Sequence, residues 1–215
     1  MTITWLGQSC FKIQGSDVTL ITDPYNAEVG FKLPRLTADI VTVSHDHFDH
    51  NNAAGVSGEN GAPFLIASPG EYEIKGVFVY GIPFWHDKSE GKDRGQTVAY
   101  RIEMEGISVA HLGDLGHTLS EEQVAQLDGV DILLIPVGGK WTIGASEAVE
   151  IINEIEPRIV IPMHYKIPGL KTDVEPVDKF LKEMGASKAE RLPKLKIAKK
   201  DLPQEETKLI LLEKG

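Results

Sequence analysis

The residues best suited to chemistry lie in one short segment. Residues 44–51 read Ser-His-Asp-His-Phe-Asp-His-Asn, so that His45, His47, Asp49 and His50 form the pattern H-x-H-x-D-H. Neutral imidazole binds zinc, iron and manganese, and a carboxylate favours the harder ions of that range. The pattern directly follows a β-branched run, and a bend after a strand can turn alternate side chains towards two adjacent ions. We therefore interpret it as half of a dinuclear metal site, with a solvated polar turn as the alternative.

Three further candidate ligands stand at or just beyond the ends of apolar runs. His86 and His164 each follow such a run, and Asp114 follows another across Gly113. Strand ends can converge in space, so these side chains could complete the site. Each of them alone would be typical of a loop or turn.

His111 competes with His86 for a place beside the first ion. Strand alternation gives His111 and Asp114 opposite parity, so the two would face one ion only if the chain bends at Gly113. We expect His86 to be the ligand. His111 is then a candidate for supporting a ligand or contacting substrate.

The elements that must position these residues are mostly short strands. Apolar, β-type runs predict strands at 2–6, 10–13, 18–21, 40–43, 64–67, 77–80, 98–102, 107–110, 132–135, 159–161 and 209–212. Three helices are predicted in the second half. One begins at a capping box formed by Ser120 and Gln123, one has Ser146 as N-cap and ends at Pro157, and one ends before Gly185. This order predicts a mixed α/β sandwich whose helices cover the outer faces of packed sheets.

Length and composition limit the class of protein. The chain has 215 residues, of which 41% are hydrophobic, and this predicts one domain over residues 1–215. No run approaches the ~20 apolar residues of a membrane span, and the first residues lack the features of a secretory signal. The single cysteine, Cys10, permits no internal disulfide. We expect a cytoplasmic protein without a membrane partner, and the sequence does not specify its oligomeric state.

The net charge of the chain and the distribution of its basic residues limit the kinds of partner that it can bind. The net charge of −10 disfavours nucleic acid unless a local basic patch exists. One candidate basic segment contains Lys188, Arg191, Lys194, Lys196, Lys199 and Lys200. It lacks interleaved aromatic residues, so a solvated strand or loop face is the simpler interpretation. A small-molecule substrate is the expected partner, and nucleic acid is the alternative.

In order and spacing, these motifs resemble the metallo-β-lactamase superfamily, whose pattern is an early Asp, H-x-H-x-D-H, a lone His, a Gly-Asp pair and a late His. The resemblance implies a four-layer αββα sandwich. It also implies that Asp23, in Ile-Thr-Asp-Pro, orients a ligand through a hydrogen bond. Carried over position by position, the implied ligands are His45, His47 and His86 for the first metal, Asp49, His50 and His164 for the second, and Asp114 as the bridge.

Within the superfamily, Trp5-Leu6-Gly7-Gln8-Ser9, Thr22-Asp23-Pro24 and His111-Leu112-Gly113-Asp114 resemble the compact bacterial hydrolases related to ascorbate-6-phosphate lactonase and the phosphodiesterase group. Gln8 replaces the His often found at that position in these relatives. Cysteine stands at none of the ligand positions, which argues against the β-lactamases that use one on their second metal.

The implied cofactors are two divalent metal ions, with zinc favoured by the resemblance and manganese or iron also compatible with nitrogen and oxygen ligands. The implied activity is a hydrolase that cleaves a small ester, lactone or phosphodiester with a hydroxide bridging the metals. Asp49 could accept or return a proton. The alternatives are ribonuclease or DNase activity, β-lactamase activity, a di-iron redox protein, and a metal-binding protein without turnover. Trp141, Tyr72, Tyr165 and Lys166 are candidates for the pocket wall.

Overall fold

Two large β-sheets and one short strand pair form the framework of the computed structural model, which describes residues 1–59, 61–186 and 189–215. In chain order the strands are β1 (Thr2–Gly7), β2 (Cys10–Gln14), β3 (Thr19–Thr22), β4 (Leu36–Thr37), β5 (Ile40–Thr42), β6 (Val56–Ser57), β7 (Phe64–Ile66), β8 (Gly70–Ile74), β9 (Val77–Trp85), β10 (Gln96–Met104), β11 (Ile107–His111), β12 (Ile132–Pro136), β13 (Ile159–Met163), β14 (Glu190–Leu192), β15 (Leu195–Lys196) and β16 (Lys208–Leu212). The helices are α1 (Glu121–Gln126), α2 (Ala145–Ile155) and α3 (Asp178–Glu183), with 3-10 turns at Ala27–Val29, Ala53–Gly55 and Lys199–Asp201.

Each sheet contains a parallel segment that matters for the site. The six-stranded sheet has the order β15-β1-β2-β3-β5-β7, in which β3, β5 and β7 run parallel. The eight-stranded sheet has the order β14-β16-β13-β12-β11-β10-β9-β8, in which β11, β12, β13 and β16 run parallel. Parallel strands bring their carboxyl ends to one edge of a sheet, so loops from distant parts of the chain can meet there.

Alternation along the strands of the six-stranded sheet separates two apolar faces. Leu20 and Ile40 belong to the main core shared with the eight-stranded sheet. Their neighbours Ile21 and Val41 belong to a second cluster, which includes Tyr25 from the loops outside the sheet. The outer layer over this sheet is therefore built from loops and 3-10 turns. With this reduced outer layer, the architecture is the predicted αββα sandwich.

The three predicted helices are present, with one boundary corrected. Ser120 and Gln123 form the expected capping box at the start of α1. The prediction that Ser146 is the N-cap of α2 is wrong. The N-cap is Gly144 and the helix begins at Ala145, two residues earlier than a Ser146 cap would place it, because the Glu147 carboxylate accepts a hydrogen bond from the backbone N–H of Gly144 at 2.8 Å.

The eleven predicted strands are all present, and the strands that were missed lie mainly at sheet edges. β8 is largely exposed, so it contains no apolar run. β9 extends to Trp85 even though it includes Pro83. β8 pairs with β9 only as far as Gly81, so the proline stands where β9 has become an edge and needs no second partner.

The basic segment is divided between different parts of the structure. β15 is an edge of the six-stranded sheet, and β14 is an edge of the eight-stranded sheet. Lys199 binds the buried carboxylate of Asp131 at 2.8 Å. Lys188 lies outside the described residues. Among the helices that the structure describes, none is long and apolar enough to cross a membrane.

Candidate metal centre

The predicted ligands converge where the parallel strands of both sheets end. Asp23 follows β3, and His45 comes shortly after β5, its parallel neighbour. From the other sheet, Asp114 comes shortly after β11 and His164 directly follows β13. The site is thus assembled at the edge where both sheets present the carboxyl ends of their parallel strands.

Three overlapping groups of three side chains have the spacing of a metal site among the described residues, and two of these groups share no residue. In the first, His45, His47 and His86 each offer a nitrogen, and these atoms all lie within 4.8 Å of one another. In the second, Asp49, His50 and His164 meet the same condition. His86, rather than His111, joins the first group. These are the two sets that the resemblance implied.

Asp114 lies between the two groups. Its Oδ2 atom is 3.3 Å from Nε2 of His50, 3.4 Å from Nε2 of His86 and of His164, and 3.8 Å from Nε2 of His45. One carboxylate oxygen therefore faces imidazoles of both groups, as a bridging ligand must.

A bend at Gly113 directs Asp114 into the site. Gly113 has a φ of 55°, in the left-handed region that favours glycine. A Cβ atom there would lie 2.7 Å from Oγ1 of Thr97 and 2.8 Å from Cβ of Ser44. The bend overcomes the opposite parity of positions 111 and 114.

Several candidate ligands have buried polar atoms without a hydrogen-bond partner, and these atoms show whether metal ions would fit the site. Buried atoms without a hydrogen bond within the described structure include Nε2 of His45, His50, His86 and His164, and Oδ1 of Asp114. A buried polar atom left unpaired costs roughly 1–3 kcal/mol, and so many in one place need an explanation. Divalent cations would pair these atoms, and the nitrogen and oxygen donor set fits zinc, manganese or iron.

The electrostatics of the protein groups also favour bound cations. Burial would raise the pKa of the Asp114 carboxyl, but the imidazoles of His164 and His50 hold that pKa well below its usual range. Burial would lower the pKa of His50, yet Asp114 and Asp49 raise it well above its ordinary value. Burial and His50 lower the pKa of His45 to about 3. The buried carboxylates are thus stabilised by nearby positive charge, which bound cations would supply.

Asp23 supports two candidate ligands from behind. Its Oδ2 atom lies 2.8 Å from Nδ1 of His50 and accepts a hydrogen bond from the Ser44 hydroxyl at 2.7 Å. The same hydroxyl oxygen lies 2.9 Å from Nδ1 of His45. Hydrogen bonds at Nδ1 leave Nε2 of each ring free to face the metal position.

Gln8 contacts the second group from the turn between β1 and β2. Its side-chain amide donates to Oδ2 of Asp49 at 2.9 Å, and the Gln8 side chain is fully buried. Its backbone carbonyl accepts from the Trp5 indole at 2.8 Å and from the His164 backbone amide at 3.2 Å. A residue that departs from the relatives' pattern therefore still touches the site.

The placement of His111 corrects part of its predicted role. The ring is fully buried, its Nε2 lies 2.8 Å from the Ser9 carbonyl, and it packs edge-on against Phe11. It does not line the cavity at the site. A direct contact with substrate is not supported, because the β11 position of His111 turns it towards the core.

A cavity of about 460 Å³ opens beside the two groups. Of the proposed wall residues, Trp141 lines it, whereas Tyr72, Tyr165 and Lys166 do not. Tyr165 packs on Trp5 instead, with 5.0 Å between ring centroids. The sequence interpretation missed Arg94 and Lys171, which also line the cavity and stand in loops without apolar periodicity.

Comparison with known proteins identifies relatives along the whole chain. The profile of the β-lactamase superfamily domain matches residues 2–164. A protein of Thermococcus onnurineus named UPF0173 metal-dependent hydrolase is 31% identical over 205 residues, covering 83% of this chain and 91% of the relative.

Solved structures agree with that match. A Thermotoga maritima structure, assigned to Zn-dependent hydrolases of the metallo-β-lactamase superfamily, is 37% identical, covers 99% of this chain and 98% of its own, and has a TM-score of 0.80. An isothiocyanate hydrolase from gut bacteria of Delia radicum is 13% identical, with a TM-score of 0.69 over 100% of this chain and 97% of its own. At that identity, the second likeness concerns the fold alone.

Proposed function

Because the chain belongs to the metallo-β-lactamase superfamily and has relatives named metal-dependent hydrolases that match most of its length, we propose that it is a dinuclear, metal-dependent hydrolase of small esters, lactones or phosphodiesters. The observation that carries the proposal is the pair of three-residue groups with one shared carboxylate between them. A single structural ion would leave the ligand atoms of one group unpaired.

In this proposal, His45, His47 and His86 would hold the first cation, Asp49, His50 and His164 would hold the second, and Asp114 would be available to both. Two bound cations lower the pKa of water towards neutrality and stabilise negative charge on a carbonyl or phosphoryl oxygen. Zinc is the first candidate, and manganese and iron are compatible with the same donors.

The chain's own groups orient this centre and handle protons. Asp23 and Ser44 fix the rings of His50 and His45. Asp49 is largely buried but lines the cavity, so its carboxylate can accept a proton from water or return one to a leaving group. Gln8 holds one oxygen of Asp49 in place, which limits the orientations of that carboxylate.

The cavity suits a small substrate. Its volume of about 460 Å³ lies in the range of small-molecule sites. The dispersed basic segment and the net charge of −10 give a nucleic-acid backbone little to bind. Small-molecule hydrolysis is therefore preferred to ribonuclease or DNase activity.

The experiment begins with metal analysis of the protein as purified. The same preparation is then assayed against esters, lactones, lactams, phosphodiesters and labelled RNA, with and without chelator. We expect two metal equivalents per chain and chelator-sensitive hydrolysis of a small substrate. Two bound metals without hydrolysis of any compound would contradict the proposed activity, and RNA cleavage alone would favour the nuclease.

A further inference from the structure

The rim of the cavity carries positive charge on a protein that is otherwise acidic. Arg94 and Lys171 both line the cavity, and neither has an ion pair with a carboxylate among the described residues. Of the rim carboxylates, Asp173 is paired with Lys140, and Glu28 remains. The rim therefore offers two cations against one free carboxylate.

Arg94 is stacked on an exposed aromatic side chain. Its guanidinium carbon lies 4.1 Å from the centroid of the Trp141 ring, and the Trp141 side chain is 41% exposed. Stacking uses the face of the guanidinium group and leaves its edge N–H groups available to an anion. The pair thus presents a flat apolar surface next to a charged donor.

A carboxylate inside the loop fixes the position from which Arg94 extends. Oδ1 of Asp87 accepts from the backbone amides of Ser89 at 2.7 Å and Gly91 at 3.0 Å. Oδ2 accepts from Asp93 at 3.1 Å and from Arg94 itself at 2.8 Å. Four amides gathered on one side chain limit the movement of the loop, so less ordering is needed when Arg94 binds a ligand.

Lys171 is held in a loop on another wall of the cavity. Its backbone amide donates to the Val29 carbonyl at 2.8 Å. Gly30 and Gly169 let the two loops approach closely, because a Cβ atom on Gly30 would lie 2.0 Å from the Gly169 carbonyl oxygen. The Lys171 side chain is exposed beyond this contact.

We infer that Arg94, Trp141 and Lys171 form a subsite for the anionic group of the substrate, a carboxylate or phosphate attached to an apolar or flat moiety. The apolar moiety would lie against Trp141 and against Phe48, whose side chain is 47% exposed at the same cavity. This inference rests on the proposed hydrolase function and adds the substrate class to it. An isolated ion pair would be weakened by solvent, but two donors and an aromatic wall can together select an anion.

Two esters with the same leaving group test the subsite. Mono-p-nitrophenyl succinate carries a free carboxylate, and p-nitrophenyl acetate does not. The holoenzyme should favour the succinate in kcat/KM, and Arg94→Gln should lower the succinate-to-acetate ratio by about 10-fold, as expected for loss of a charge-assisted hydrogen bond. Lys171→Gln should lower the ratio in the same direction. Lys92→Gln removes a charge from the same loop but outside the cavity, and should leave the ratio unchanged.

A binding experiment on the holoenzyme separates this inference from the hydrolase proposal. Phenylphosphonate, which is not hydrolysed, is titrated by calorimetry and by tryptophan fluorescence, with Trp141→Phe used to assign the signal. Weaker binding in Arg94→Gln than in Lys92→Gln supports the subsite even if neither ester is cleaved, in which case only the hydrolase proposal fails. Equal binding and equal ester ratios in both variants would overturn the subsite.

Discussion

Nδ1 of His50 and Oδ2 of Asp23 lie 2.8 Å apart, and neither side chain is exposed to solvent. An ionised carboxylate can only accept, so His50 donates from Nδ1 and its Nε2 atom faces the metal position. Asp23 has a φ of 38°, a conformation that asparagine also tolerates. Asp23→Asn should therefore fold and weaken metal affinity by about 10- to 100-fold.

Competition with a chromogenic chelator measures this loss of affinity. Asp17→Asn is the matched control, because Asp17 is exposed and accepts a hydrogen bond from the hydroxyl of its neighbour Ser16, away from the metal centre. Equal affinities in the two variants would show that Asp23 does not tune the metal centre.

His86 and His111 should respond differently to the same substitution. His86→Gln removes a nitrogen from the first group, so we expect it to lose about one of the two metal equivalents per chain. His111→Gln disturbs a buried hydrogen bond to Ser9 and should retain both metals while lowering the free energy of unfolding by about 1–3 kcal/mol. Metal analysis after dialysis and urea unfolding of both variants make the comparison. If His111→Gln instead lost a metal equivalent and His86→Gln retained both, His111 would be a ligand and His86 would not.

Most of the strand framework could be predicted because buried strands leave apolar runs in the sequence. The exposed edge strand β8 leaves no such run. The start of α2 depends on the hydrogen bond that the Glu147 carboxylate accepts from the Gly144 amide, and this bond outweighed the local preference for Ser146 as the N-cap. The position of Gly113 was informative, because a bend there was the condition for Asp114 to enter the site.

The candidate site likewise contains residues that the sequence identifies and residues that it does not. H-x-H-x-D-H is local, so four candidate ligands could be identified from spacing, and the others from strand ends. Arg94 could not be identified in this way, since its position depends on four amides that converge on Asp87. The apolar periodicity of the sequence does not indicate a loop of this kind.

Gln8 should control the second group through Asp49. Gln8→Leu keeps most of the side-chain volume but removes the amide that donates to Asp49 Oδ2 at 2.9 Å. Loss of a hydrogen bond to a charged group is worth about 1.5–3 kcal/mol, so we expect kcat/KM to fall by roughly 10- to 100-fold. Gln8→His restores an N–H donor and should recover part of the loss. Gln14→Leu, at an exposed position of β2, is the control, and an equal effect there would remove the special role of Gln8.

Metal removal should destabilise the fold because the ligand atoms lose their partners. Ions that bind only the native state add about 2.7 kcal/mol per site at 100 times the dissociation constant. Excess chelator should therefore lower Tm by several degrees, and added zinc should restore it. The same chelator saturated beforehand with zinc controls for its direct effect on the protein. An unchanged Tm would mean that the buried imidazoles need no cation.

Acid stability should depend on the contact between Asp39 and Lys75, which joins the entry to β5 in one sheet to the β8–β9 turn of the other. Oδ1 of Asp39 accepts from Nζ of Lys75 at 2.6 Å, and Oδ2 accepts from the Thr19 amide at 2.8 Å. The hydrogen bond from Lys75, with that from Thr19, lowers the pKa of Asp39 in the folded protein. The unfolded chain, with an Asp pKa near ~3.9, then binds the proton more readily. The contact is therefore fully stabilising above that value and is lost as the pH falls through the lower, folded pKa.

Asp39→Asn should consequently be less stable than the parent protein at neutral pH, and this difference should shrink as the pH falls below about 4. Urea unfolding of both proteins across pH 7 to pH 3 measures it, with chelator-treated and metal-loaded samples compared at each pH so that proton competition at the metal centre is separated from the effect. Lys75→Gln should reproduce the trend because it removes the other partner of the same contact, whereas Asp17→Asn should not. A stability difference that stays constant across this range would mean that the folded pKa of Asp39 is not lowered and that Lys75 does not stabilise its ionised form.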